Sequence, residues 1–393
     1  MDVKKIKIEI GRTYCCILTI FKQNHCTMSM KISPDLLADL SDLPVVKARR
    51  LQACGVFGSD YCRAVRQSPV VTINCSKERI EMKKMLLKTA SVLLAFVLLF
   101  ALPIPAFAAA GDLQTPFADS RFYHQGDYSI HYRVIEGKGE QKGYILFLHG
   151  FLYSGESFRP MAEEMSQAGY TCVLADFPNF GYSTRENAQI EPIDREVLME
   201  GLMQSIAPDA QWILAGQSMG GGVALNIASD VPSIKALLLY APAPINAMPS
   251  IMNGVLTSGF TTGIFSGVLK LAAKPSFLVR SAMYMATMDW KYTNSYDLST
   301  LTDPLSIDGT GEGMLYMMTR ARGTDYDALA QLDLPILLVR GTCDLVVTKL
   351  MSAQMDNALS GATKVTISGA GHMLNETHAK QLSVQALDFL AAI

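Results

Sequence analysis

The chain reads as an α/β protein: a mostly parallel sheet with helices on both faces and a helical insert late in the sequence. Three observations lead there. Short apolar runs at 143–148, 170–175, 212–215, 235–240 and 334–341 are continuous rather than alternating, as strands covered on both faces are. Helix-like stretches at 157–168, 191–206 and 219–229 fall between them, and strands separated by helices pair in parallel. Gly111 to Ile393 has the length of one α/β domain with an insert.

The first 81 residues differ from the rest. They hold six of the eight cysteines (Cys15, Cys16, Cys26, Cys54, Cys62 and Cys75) with no ordered zinc spacing and no clean disulfide pattern. They show no convincing period, so residues 1–81 are expected to be a disordered or non-native extension upstream of a start at Met82 or Met85, with a cytoplasmic leader as the alternative. Met82–Lys88 is basic, Thr89–Leu102 is mostly apolar, and Pro103, Pro105 and Ala106-Phe107-Ala108-Ala109 follow. That is the layout of a secretory signal over 82–108, cut after Ala108. The apolar run is short of the ~20 residues a membrane-spanning helix needs; anchoring by residues 86–102 is the alternative to export. After cleavage only Cys172 and Cys343 remain, on strands expected to lie too far apart for a disulfide.

The first core strand, Gly143–Leu148, runs into His149-Gly150-Phe151. The glycine lets backbone come close to a ligand. The next apolar run, Tyr170–Ala175, leads into Asp176-Phe177-Pro178-Asn179-Phe180-Gly181-Tyr182-Ser183. The third, Trp212–Ala215, runs into Gly216-Gln217-Ser218-Met219-Gly220 and then a small-residue helix. Strand, sharp turn and helix hold such a serine on a strained backbone with its hydroxyl outward. Glycines two positions either side leave room for the turn. The helix then points free N–H groups at whatever sits beside Ser218.

Between residues 243 and 329 the rhythm changes. Eight methionines (Met248, Met252, Met283, Met285, Met288, Met314, Met317 and Met318) sit among bulky aromatics such as Phe260, Phe277 and Trp290. Methionine adapts to irregular apolar shapes, which suits a lid over an acyl chain or lid helices packed on the domain. Few charges face such a site, against a highly charged substrate.

A nucleophilic serine needs a base, and the base an orienting carboxylate. The run ending at Gly341 is followed by Thr342-Cys343-Asp344. The β-rich run Ala362–Ile367 is followed by Ser368-Gly369-Ala370-Gly371-His372. An aspartate after a strand is often a turn former or helix cap, and a histidine in a glycine loop is often merely exposed. Three such residues in the order Ser218, Asp344, His372, each where a strand gives way to a loop, make a catalytic constellation at the edge where α/β sheets hold ligands. The competitors fit less well. Asp333 precedes its strand, Asp356 and His378 fall in helical segments, and His124 and His131 precede the first core strand.

The motifs Leu148-His149-Gly150-Phe151, Asp176 to Ser183, Gly216 to Gly221, Gly341 to Asp344 and Gly369 to His372 resemble those of the α/β-hydrolase fold, nearest its serine aminopeptidase, monoacylglycerol lipase and lysophospholipase branch. The resemblance runs from about Tyr128 to the C-terminus. It departs at Gln217, where many relatives carry histidine, and at Cys343, where they vary. It implies a Ser218–His372–Asp344 triad, an oxyanion held by the amides of Phe151 and Met219, and no cofactor or metal. The expected activity is carboxylic ester hydrolysis on lipid-like substrates such as monoacylglycerols or lysophospholipids. Amide or peptide cleavage, or ligand binding without catalysis, are the alternatives; no acidic patch stands out to grip a free α-amino group. The formal charge of −2 and the lack of a basic stripe leave nucleic-acid binding unsupported. The expected partners are a small-molecule or lipid ester and, transiently through the lid, a membrane surface.

Overall fold

The computed structural model describes residues 116–246 and 253–393 and, ahead of them, the backbone of four strands. The chain divides into two units, Met1–Leu99 and Phe100–Ile393. In the first, β1 (Lys5–Ile10) pairs antiparallel with β2 (Tyr14–Thr19), and β3 (Thr27–Lys31) with β4 (Val70–Asn74). β1 alternates Ile6, Ile8 and Ile10 with charged residues, a two-residue period that a reading of this stretch as patternless passes over. The expected signal segment, 82–108, lies outside the described residues.

The second unit opens with β5 (Arg121–Gln125), β6 (Tyr128–Ile135) and β7 (Gly143–Leu148). A 3-10 turn, Gly155–Phe158, leads into α1 (Arg159–Gln167), followed by β8 (Tyr170–Ala175), α2 (Arg195–Ile206), β9 (Trp212–Gln217), α3 (Met219–Asp230) and β10 (Ile234–Tyr240). The insert then supplies α4 (Asn253–Leu256), α5 (Gly259–Ala273), α6 (Ser276–Thr287), α7 (Trp290–Ser295), α8 (Ser299–Ser306), α9 (Thr310–Arg320) and α10 (Tyr326–Leu329). The chain closes with β11 (Ile336–Gly341), α11 (Lys349–Ala358), β12 (Thr363–Ile367), α12 (Leu374–Thr377) and α13 (Ala379–Ala391).

Eight strands form one sheet in the order β12-β11-β10-β9-β7-β8-β6-β5. From β8 to β12 the pairing is parallel; β5 and β6 run antiparallel to their neighbours. Successive side chains on a strand face opposite sides, and both sides are covered here. Leu146, Leu148, Val173, Leu214 and Leu239 pack with Leu198 and Leu202 of α2 and Val223 of α3. Ile145, Phe147, Leu174, Ile213 and Leu238 pack with Met161 and Met165 of α1 and Leu382 of α13. That two-sided burial is why the runs are continuously apolar. It amounts to roughly 1.5–3 kcal/mol for each large side chain removed from water.

Three local expectations shift. The core begins earlier than 143, because Tyr128 and Ile130 of β6 are fully buried. α2 starts at Arg195 rather than 191: Pro192 disfavours helix in the residue before it, and Asp194 occupies the cap position. The helical segment expected around His378 is broken at that residue into α12 and α13. Cys172 and Cys343 are both free. β8 and β11 are separated in the sheet by β7, β9 and β10.

Candidate active site

Ser218 sits between β9 and α3 with φ 51° and ψ −119°, a conformation costly for a residue with a Cβ. Its backbone is fastened on both sides. The N–H donates to Tyr240 O (3.1 Å), and the carbonyl accepts from Gly221 N (3.0 Å), Gly222 N (3.2 Å) and Ala243 N (2.9 Å). The flanking glycines are there for space. A Cβ on Gly216 would lie 2.5 Å from Gly220 O, and one on Gly220 would lie 2.0 Å from Leu148 O. Strand-to-helix geometry this tight admits no side chain at either place.

Asp344 follows β11 and His372 follows β12, both at the carboxyl edge of the sheet beside the Ser218 turn. His372 Nδ1 is 2.9 Å from Asp344 Oδ2, and the two side chains are only 6% and 5% exposed. The other carboxylate oxygen accepts from the amides of Val346 and Val347, each at 2.8 Å. Burial works to raise the Asp344 carboxyl, but the His372 hydrogen bond and charge and the two amides outweigh it and hold it below the usual range. An ionised carboxylate can only accept, so Nδ1 carries a proton; in the neutral ring that tautomer leaves the Nε2 lone pair free. On the serine side, the neighbouring side chain Gln217 reaches the main-chain oxygen of His372 at 3.1 Å. No hydrogen bond joins the Ser218 hydroxyl to the His372 ring in this structure; such bonds commonly tighten only when substrate is in place.

The third element is the loop after β7. His149 is fully buried, and burial pushes its ring below the ordinary histidine range. The neutral ring donates from Nδ1 to Gly150 O (2.7 Å) and accepts the Phe177 amide at Nε2 (3.0 Å). It thereby joins the loops after β7 and β8. The amides of Phe151 and Met219 have no acceptor among the described residues. Phe151 is 39% exposed.

Sequence reasoning missed two groups here. His131 and Asp176 form a buried pair, Nδ1 to Oδ2 2.8 Å. The signal was a histidine in a strand and an aspartate at a strand end. Glu376, on α12, is 7% exposed and accepts from the Tyr292 hydroxyl of α7 at 2.5 Å. Burial, with no cation at hand, pushes its carboxyl up to about 7. No cluster of three or more metal-ligating side chains occurs among the described residues.

The sequence model described as alpha/beta hydrolase fold matches residues 143–379, and the chain belongs to that family. It is 24% identical over 269 residues to a pimeloyl-[acyl-carrier protein] methyl ester esterase of Stenotrophomonas maltophilia, covering 66% of this chain and 96% of that one. The fold is similar to that of an enol-lactonase from Burkholderia xenovorans LB400, with a TM-score of 0.55 at 17% identity over 69% of this chain and 100% of the other. It is also similar to a bromoperoxidase from Bacillus anthracis, with a TM-score of 0.54 at 21% identity over 69% and 99%. Esterases and peroxidases thus stand among the similar proteins, a wider set than the aminopeptidase and lipase branch expected from the motifs.

Proposed function

We propose that the chain is a serine hydrolase that cleaves carboxylic esters through an acyl-enzyme on Ser218. One observation carries the reading: a serine held at φ 51° at the end of β9 shares the sheet edge with a His372–Asp344 pair 2.9 Å apart. His372 Nε2 takes the Ser218 proton as Oγ attacks the ester carbonyl. Asp344 keeps the ring oriented and stabilises its charged form. The Phe151 and Met219 amides bind the oxyanion, each donor contributing roughly 3–4 kcal/mol in sites of this kind. His372 returns the proton to the departing alcohol. Water then attacks the acyl carbon by the reverse steps, leaving acid and free Ser218.

The insert supports a lipid-like substrate. α5 and α6 leave Phe260, Phe277, Leu278 and Met285 exposed, and Trp290 stands out at the start of α7. From 253 to 291 the basic residues Lys270, Lys274, Arg280 and Lys291 face a single acid, Asp289. An apolar helical surface with basic flanks suits transient contact with an anionic membrane surface; co-sedimentation with anionic but not zwitterionic vesicles tests it. Export by way of 82–108 belongs to the same reading, and N-terminal sequencing of a secreted product beginning at Ala109 tests that. The main test is a substrate panel. Fluorophosphonate is expected to label Ser218, and acyl esters, monoacylglycerols or lysophospholipids to turn over. Turnover of aminoacyl amides in preference to esters would move the enzyme to the peptidase class. Absence of both labelling and turnover would leave ligand binding.

A further inference from the structure

His372 is gripped by its main chain from two sides. Its N–H donates to the carbonyl of Ala286 at the end of α6 (2.6 Å), and the next amide, Met373, donates to the same oxygen (3.1 Å). Its carbonyl accepts from Gln217 Nε2 at 3.1 Å. Gln217 is 1% exposed, and its neighbours leave it little freedom. A Cβ on Gly150 would lie 2.2 Å from Gln217 Oε1 and 3.3 Å from Ser218 Cβ. The side chain is therefore wedged between the loop after β7 and the histidine loop. Residues 217 and 372 are 155 apart in sequence. Among the described residues this is the one hydrogen bond that ties the nucleophile turn directly to the loop carrying the base.

We propose that Gln217 is a positioning residue: it sets the reach from the Ser218 hydroxyl to the His372 ring by holding the histidine's carbonyl, against the Ala286 carbonyl on the other side. This rests on the hydrolase reading above. Gln217 bonds the main-chain oxygen of His372 and makes no hydrogen bond to the ring nitrogens. Its loss therefore alters geometry rather than protonation, and a displacement of about 1 Å at a reacting pair costs on the order of 100-fold in rate.

The test begins with stoichiometric fluorophosphonate labelling of the wild-type chain at Ser218. Absence of labelling overturns the hydrolase reading and this proposal with it. On the alkaline plateau, where the imidazole is neutral, Gln217→Met keeps the bulk and removes the donor. It is expected to lower kcat and the labelling rate about 10- to 100-fold with KM changed less than about threefold. Gln217→His restores a donor and is expected to recover most of the lost rate. Circular dichroism and melting temperature establish that each variant is folded. Should Gln217→Met not fold, Gln217→Leu takes its place. A labelled wild type with methionine or leucine variants at full kcat overturns the positioning role alone, as does a loss that histidine fails to reverse.

Discussion

The domain holds two serine–histidine–aspartate groupings that share little beyond composition. Ser218, His372 and Asp344 stand where β9, β12 and β11 end. Ser120, His131 and Asp176 are built around β6: His131 Nε2 is 2.9 Å from Ser120 Oγ, and Nδ1 is 2.8 Å from Asp176 Oδ2. By hydrogen bonds alone the second chain is the more complete. Its groups are already spent, however. Ser120 Oγ also accepts the Phe117 amide, and Ser120 is not among the residues with left-handed backbone. The rings of Phe117, Phe122 and Tyr182 surround His131. Asp176 is 2% exposed and accepts the amides of Gly155 (2.7 Å) and Tyr182 (2.9 Å). Burial would raise its carboxyl, but His131 and these donors hold it low. The second grouping is a clamp between loops. The first has a strained serine, an uncommitted ring nitrogen and two amides without acceptors. On the proposed reading, what marks the reactive site is unused bonding capacity, not a closed circuit.

The sharpest way to break this contrast is to truncate both serines. Ser218→Ala is expected to reduce kcat on p-nitrophenyl esters by 10⁴-fold or more, in the order of magnitude lost when a nucleophile is removed from such a unit. Ser120→Ala is expected to stay within about twofold; equal losses would erase the distinction. Next come the aspartates. Asp344→Asn leaves the ring in the wrong tautomer and should lower kcat about 10⁴-fold with little change in melting temperature. Asp176→Ala leaves the buried His131 Nδ1 and the amides of Gly155 and Tyr182 without their acceptor. It is expected to cost roughly 3–5 kcal/mol, about 10 °C in a domain of this size, read by calorimetry. A catalytic loss at Asp176 without a stability loss would reverse the assignment.

The smallest expected effect concerns Glu376. Its folded pKa, about 7, lies above the 4.5 of a free glutamate. Between those values the native state holds a proton that the unfolded state has lost. Stability is therefore full below about pH 4.5 and declines as pH rises through 7, by roughly 3 kcal/mol in total. Glu376→Gln should flatten that slope in melting temperatures taken from pH 4.5 to 8. An unchanged slope would show that the carboxyl is not the responsible group.

Local chemistry made the sheet and the edge residues legible in sequence. The strained turn at Ser218 needs Gly216 and Gly220 within two positions; Asp344 follows a short apolar run that becomes the largely buried β11, and His372 follows a β-rich run that becomes the mostly exposed β12. What escaped depends on partners distant in sequence. His131 precedes the first obvious core strand and acquires meaning only when β6 pairs antiparallel with β8, bringing Asp176 to it across 45 positions. Gln217 read as a departure from the histidine that many relatives carry. Its bond to His372 exists because β12 and the α6 terminus converge there. The later start of α2 was readable from Pro192 and Asp194, two local signals outweighed by helical periodicity.

The oxygen of Ala286 that receives the His372 and Met373 amides, with the Tyr292–Glu376 contact, has an engineering consequence. The insert cannot be exchanged for another protein's as a cassette. A graft that replaces 276–296 while keeping the host segment 371–376 severs the stitches between them, so recombination boundaries must carry both pieces together.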